Sequence, residues 1–104
     1  MNEQLLQYIW QFQYFNKSEL QTTEGEVLEI IQPGKINLNQ GPDFINAKIK
    51  IGNTVWAGNV ELHLKSSDWD RHKHANDKNY KNVIFHVVYE QDAAVNHIPV
   101  LALK

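Results

Sequence analysis

The sequence predicts an α/β domain built on a mixed β-sheet, and three observations carry that expectation: a helical apolar spacing at the N-terminus, a tight-turned hairpin in the middle, and a late strand apolar on both faces. Leu5, Leu6, Ile9, Trp10, Phe12 and Phe15 recur on one side of a 3.6-residue period with no Pro or Gly between them, which predicts a helix over residues 3–15. Val27 to Ile31 is a short β-branched run stopped by Pro33-Gly34, and it reads as a first strand. Asp43–Ile51 and Val55–Lys65 are two longer strands around Gly52-Asn53, a pair suited to the positive φ of a tight hairpin, so the three strands form an antiparallel meander. Ser66 to Asp70 offers a helix N-cap with acids in the first turn, but the following RHKHANDKNYKN is poor in helix formers and predicts only a short helix or loop. Asn82–Tyr89 is apolar on both alternating faces, as a strand covered on both sides would be, and Ile98–Leu103 reads as the last strand.

At 104 residues the chain makes one domain, residues 1–104. No stretch approaches the roughly 20 apolar residues of a membrane span, and the N-terminus lacks a basic start, a long apolar run and a small-residue cleavage site; a cytoplasmic protein with no membrane partner is expected. With no cysteine there is no disulfide, thiolate zinc site or thiol nucleophile, which leaves His, Asp and Glu as strong metal ligands. The net charge of −2 argues against a nucleic-acid binder driven by charge alone. Residues 63–82 nevertheless gather Lys65, Arg71, Lys73, Lys78 and Lys81 with three of the five histidines, either as a basic face or as an ordinary solvated surface of mixed charge. The chain stops directly after an apolar run, which is expected to leave apolar surface for a homodimer and to mark the front part of a longer natural protein.

Chemistry concentrates between residues 43 and 74. Asn59, Glu61, His63 and Lys65 share one face of their strand while Val60, Leu62 and Leu64 share the other, because strand side chains alternate. The polar row alone is consistent with a solvent-facing edge. Asp43 adds a second acid: two carboxylates supply hard oxygen ligands for Mg²⁺ or Mn²⁺, and a neighbouring nitrogen can orient or deprotonate water. A regular hairpin with Ile51 opposite Thr54 would put Asp43 opposite Leu62, on the wrong side from Glu61. One extra residue is needed, and Gly58 or the kink after Pro42 is where it is expected.

This order and spacing resemble the PD-(D/E)XK nuclease superfamily, with Pro42-Asp43 as its Pro-Asp and Glu61-Leu62-His63 as its (D/E)XK, and 17 residues between Asp43 and Glu61. The resemblance implies a restriction-endonuclease-like fold, catalytic Asp43, Glu61 and His63, Mg or Mn on Asp43 and Glu61, and nucleic acid as partner. His63 departs from the usual Lys, as in the very-short-patch-repair branch, which similarly carries histidines near its acids. Asp68, His72 and His74 are second-rank members of such a site. The chain more closely resembles a family of uncharacterised bacterial proteins known as domain of unknown function 2851. That likeness runs through Pro33-Gly34, Asn37, Gly41-Pro42-Asp43-Phe44, Ala47, Gly58-Asn59-Val60-Glu61-Leu62-His63, Ser67-Asp68-Trp69, His72, His74, Tyr80 and Val83-Ile84-Phe85-His86-Val87-Val88. It implies a longer natural protein and no known activity.

Two readings compete with the nuclease. A non-catalytic domain would keep the sheet to bind nucleic acid or protein, and a zinc hydrolase would use His63, His72 or His74, and His86. Metal identity separates them: Mg or Mn on carboxylates, Zn on imidazoles, or none. His86 lies in an apolar strand, where a hydrogen-bonded core histidine is the plainer expectation; His97, in a turn-like segment, is given no role. Trp10, Trp56 and Trp69 are expected in the core.

Overall fold

The computed structural model describes residues 1–71, 82–93 and 98–104. The chain is a mixed α/β domain with an N-terminal helix and a six-stranded sheet. Helix α1 (Glu3–Phe12) precedes β1 (Leu28–Gln32), β2 (Lys35–Ile36), β3 (Phe44–Ile51), β4 (Thr54–Lys65), a single turn of helix α2 (Asp68–Arg71), β5 (Val83–Glu90) and β6 (Val100–Ala102). The sheet runs β1-β3-β4-β5-β6, with β2 pairing beside β1 on β3. β4 sits at its centre, antiparallel to β3 and parallel to β5.

α1 starts where the Asn2 side chain accepts the Leu5 N–H at 2.8 Å and stops where Gln13 turns left-handed at φ 57°. It is therefore shorter than the expected 3–15, and only Leu6 and Trp10 of its apolar stripe are fully buried. Trp10 docks the helix by donating its indole N–H to the Pro33 carbonyl at 3.0 Å.

The sheet buries both faces. Toward α1 lie Phe44, Ala47, Ile49, Val60, Leu62, Phe85, Val87 and Leu101. The opposite face packs Val83, Val88 and Val100 against Trp69 of α2, so β5 is covered on both sides as its sequence required. The turn leading into α2 is clasped to the end of β5 through Asp92, whose carboxylate accepts from the Ser67 hydroxyl at 2.7 Å and the Ser67 N–H at 2.9 Å. Those two bonds hold the Asp92 carboxyl down to about 2.

Several expectations need correction. The last strand leaves no bare apolar face: Val100 and Leu101 are 2% and 3% exposed, and Thr23 N–H bonds the Val100 carbonyl at 2.8 Å. Large apolar side chains are exposed instead around α1, at Leu5, Tyr8, Phe12 and Tyr14. Trp56 is 49% exposed rather than core, because β5 begins opposite Asn59 and gives the first half of β4 no neighbour on that side among the described residues. The two-residue strand β2 had no sequence signal.

The hairpin turn is as expected, with Ile51 opposite Thr54 and Gly52 at φ 60°. The extra residue is present too, but in β3. Ala47 pairs with Gly58 and Phe44 with Val60, so Ile45 and Asn46 together face Asn59. Asn46 takes the left-handed turn of the bulge at φ 59°, and its N–H bonds the Asn59 side chain at 3.2 Å. Gly58 serves a different end: a Cβ there would meet Ile84 Cγ2 at 2.6 Å and the Asn82 carbonyl at 2.7 Å, so it lets β5 approach. Gly34, at φ 94°, backs the bulge, with its Cβ position 2.8 Å from the Ile45 carbonyl.

Gly25→Ala and Gly34→Ala separate backbone strain from close approach. Both glycines have positive φ, but nothing lies within 4 Å of a Cβ at Gly25. Denaturant unfolding should show a loss of about 1–2 kcal/mol for Gly25→Ala. Gly34→Ala should lose clearly more, because the bulge must also shift.

Candidate functional site

The bulge sets the site. With the register moved by one residue, Asp43 stands opposite Glu61 instead of Leu62, and the two acids share a face with His63. The main chain locks them together: Asp43 N–H donates to Glu61 Oε1 at 3.2 Å, and Leu62 N–H donates to Asp43 Oδ2 at 2.8 Å. From α1, Gln7 Nε2 donates to Asp43 Oδ1 at 3.1 Å. The loop before Asp43 is pinned by Asn37, whose amide donates to the Pro42 carbonyl at 2.8 Å and whose N–H bonds the Asp43 carbonyl at 2.8 Å.

The acid–histidine row is not the solvent-facing edge that its polarity allows. Glu61 and His63 are each 3% exposed and His86 is fully buried. His63 Nδ1 meets His86 Nε2 at 2.8 Å, their rings nearly perpendicular, and Trp69 packs against both. His63 Nε2 lies 3.8 Å from Glu61 Oε2. Asp43, only partly buried, is the open end of the row.

Burial first, then the hydrogen bond and negative charge of Asp43, push the Glu61 carboxyl up to about 10. At neutral pH Glu61 therefore keeps its proton, held in its hydrogen bond with the Asp43 side chain. The 3.8 Å approach of His63 to Glu61 is then a polar contact, not an ion pair. The two imidazoles share one hydrogen bond, so one ring donates and the other accepts. If His63 Nε2 is to accept a proton, Nδ1 must carry the hydrogen and donate to His86.

Asp43, Glu61 and His63 are thus brought together. Asp68 is buried, with its carboxylate accepting the Lys65 N–H at 3.3 Å in the turn before α2. His72 and His74 lie outside the described residues, as does His97. Among the described residues no group of three or more His, Asp and Glu converges to hold an ion. The facing nitrogens of His63 and His86 bond each other, which is not the arrangement a zinc pair requires. Sequence reasoning missed Gln7, since only the docking of α1 brings it to Asp43, whereas His86 is the hydrogen-bonded core histidine its strand led one to expect. The even spacing of Ile84, His86 and Val88 did hold a signal, because one polar ring on a doubly covered strand requires a partner.

The fold and site define a mixed α/β domain organised around a buried carboxyl pair and a histidine pair. The chain belongs to the family described as "Protein of unknown function (DUF2851)", whose model matches residues 3–104. No curated protein and no solved structure matches it. Among the described residues no helix is long and apolar enough to cross a membrane.

The raised Glu61 carboxyl makes a stability prediction with a definite sign. The folded chain keeps a proton that the unfolded chain releases near 4.5, so this contribution is complete below 4.5 and is lost as pH rises toward about 10. Denaturant unfolding at pH 5 to 9 should show wild-type stability falling relative to Glu61→Gln, by up to about 1.4 kcal/mol per pH unit. Parallel profiles for the two proteins would place the proton elsewhere.

Proposed function

We propose that this domain is a restriction-endonuclease-like, metal-dependent nuclease that hydrolyses a phosphodiester bond. The carrying observation is the Asp43–Glu61 pair, two carboxyl groups side by side with His63 two residues on along the same face. Their oxygens are the hard donors that suit a divalent cation such as Mg²⁺ or Mn²⁺, and Asp43 and Glu61 would hold it. When bound, such an ion neutralises charge on the phosphate and lowers the pKa of water.

The chain's own residues supply the rest. Gln7 and the Leu62 N–H fix the Asp43 carboxylate, and the Asp43 N–H fixes Glu61. His63 would take a proton on Nε2 from a water whose oxygen bonds to phosphorus as the bond to the leaving oxygen breaks, and the leaving oxygen is protonated from solvent. His86 holds the ring so that this nitrogen faces the acids.

Cleavage of single-stranded and duplex DNA and RNA with Mn²⁺, beside Mn²⁺ binding by calorimetry, tests this. Asp43→Asn and Glu61→Gln should keep the fold by circular dichroism and lose both binding and cleavage. His63→Ala should keep Mn²⁺ binding and cut about 10²–10⁴-fold more slowly. Unchanged Mn²⁺ binding in Glu61→Gln sinks the proposal. The near-complete burial of Glu61 and His63 favours a second reading, a non-catalytic domain in which the same row is an internal polar network. In that case wild type binds no Mn²⁺.

A further inference from the structure

The face that carries the acids continues past them into an open groove. Along β4 the side chains of Ala57, Asn59, Glu61 and His63 point the same way, so Asn59 lies one strand repeat, about 7 Å, from Glu61. Beside it the sheet forms a depression of about 570 Å³ lined by Gln32, Asn46, Lys48, Asn59, Asn82 and Ile84. The bulge shapes it: Asn46 is the left-handed residue of the bulge, and its N–H is held by Asn59. Lys48, Gln32, Asn46 and Asn82 are exposed, with Lys48 paired directly opposite both Gln32 and Ala57 in the sheet.

The chemistry of this lining is selective. Among the described residues it holds one ammonium and four carboxamides and no carboxylate. A carboxamide offers a donor pair and an acceptor together, matching the edges of nucleobases and the hydroxyls of sugars, while a lysine takes a phosphate as a point charge. A cationic peptide would call for acids, and the described lining offers none.

We infer that this groove binds a single nucleic-acid strand, with Lys48 on a phosphate and the amides of Asn46, Asn59 and Asn82 on the adjoining nucleotides, and that it delivers the strand to the Asp43–Glu61 pair. Only the delivery rests on the nuclease reading; the groove itself stands on its shape and lining. Asn59, in the lining and one strand repeat from Glu61, is the point at which the groove comes nearest to the acids.

The test uses the full chain in EDTA, where no metal-dependent cleavage can occur, with fluorescein-labelled 12-nucleotide single-stranded DNA and RNA read by anisotropy. Lys48→Gln should weaken binding about three- to tenfold and flatten the dependence of log K on log salt by about 0.7. Asn82→Ala, at an exposed side chain, should weaken binding about threefold and leave the salt slope unchanged. Inorganic polyphosphate should compete poorly. Equal affinity for wild type and Lys48→Gln overturns the inference, as do equal competition by polyphosphate or the absence of binding to either oligonucleotide. Mn²⁺-dependent cleavage with wild-type behaviour of Lys48→Gln would leave the nuclease and remove the groove. Loss of binding in Lys48→Gln without any cleavage by wild type would leave the groove and remove the nuclease.

Discussion

One extra residue in β3 governs the chemistry of this domain. A sheet face is binary, so sliding one strand by a single position exchanges every inward side chain for an outward one. The Ile45–Asn46 bulge makes that exchange halfway along the hairpin. On its turn side Ala47, Ile49 and Ile51 fill the core, and on its far side Phe44 takes over the core position while Asp43 moves round to meet Glu61. The bulge is held from three directions: Gly34 presses against it from the chain before β2, Asn59 bonds its backbone from β4, and Asn37 ties down the loop that enters it. Trp10 joins the same system, because the carbonyl it anchors belongs to Pro33, next to Gly34.

The shifted register creates a problem that the rest of the structure solves. Two carboxyl groups and two imidazoles under a tryptophan are costly to remove from water unless each finds a partner. The proton that Glu61 keeps removes one negative charge, and pairing the imidazoles satisfies two ring nitrogens. What remains is a hydrogen-bonded polar seam beside an apolar layer. Trp69 closes it, and Asp92 secures the turn from which Trp69 hangs. The short α2 thus matters less as a helix than as the carrier of one ring.

Much of this was written in the local sequence. Strand alternation put Glu61 and His63 on one face, Gly52-Asn53 set the turn, and the mismatch between the hairpin register and the position of Asp43 required a bulge somewhere. Its place was not legible, because Gly58 carries the usual mark of an irregular strand for a separate reason, the approach of β5, whereas Asn46 adopts a positive φ that its side chain advertises only weakly. Burial of the polar row was not legible either. It depends on Trp69 folding back from the next element and on β5 arriving in parallel, and neither leaves a periodic trace in β4. Trp56 fails for the complementary reason: its sequence position is that of a core residue, but the partner strand starts too late to cover it.

The central strand also divides the site in time. The acid pair is closed by a two-residue turn, so Asp43 and Glu61 come together as soon as the hairpin zips. The histidine pair waits on a parallel crossover from Lys65 to Val83, a slower closure that rewards the chain only once β5 has docked. The acid pair is thus the local half of the site and the histidine pair its long-range half. The burial that raises the Glu61 carboxyl is complete only where both halves and Trp69 are in place, so a property of one hairpin residue depends on chain that arrives from the far side of the crossover.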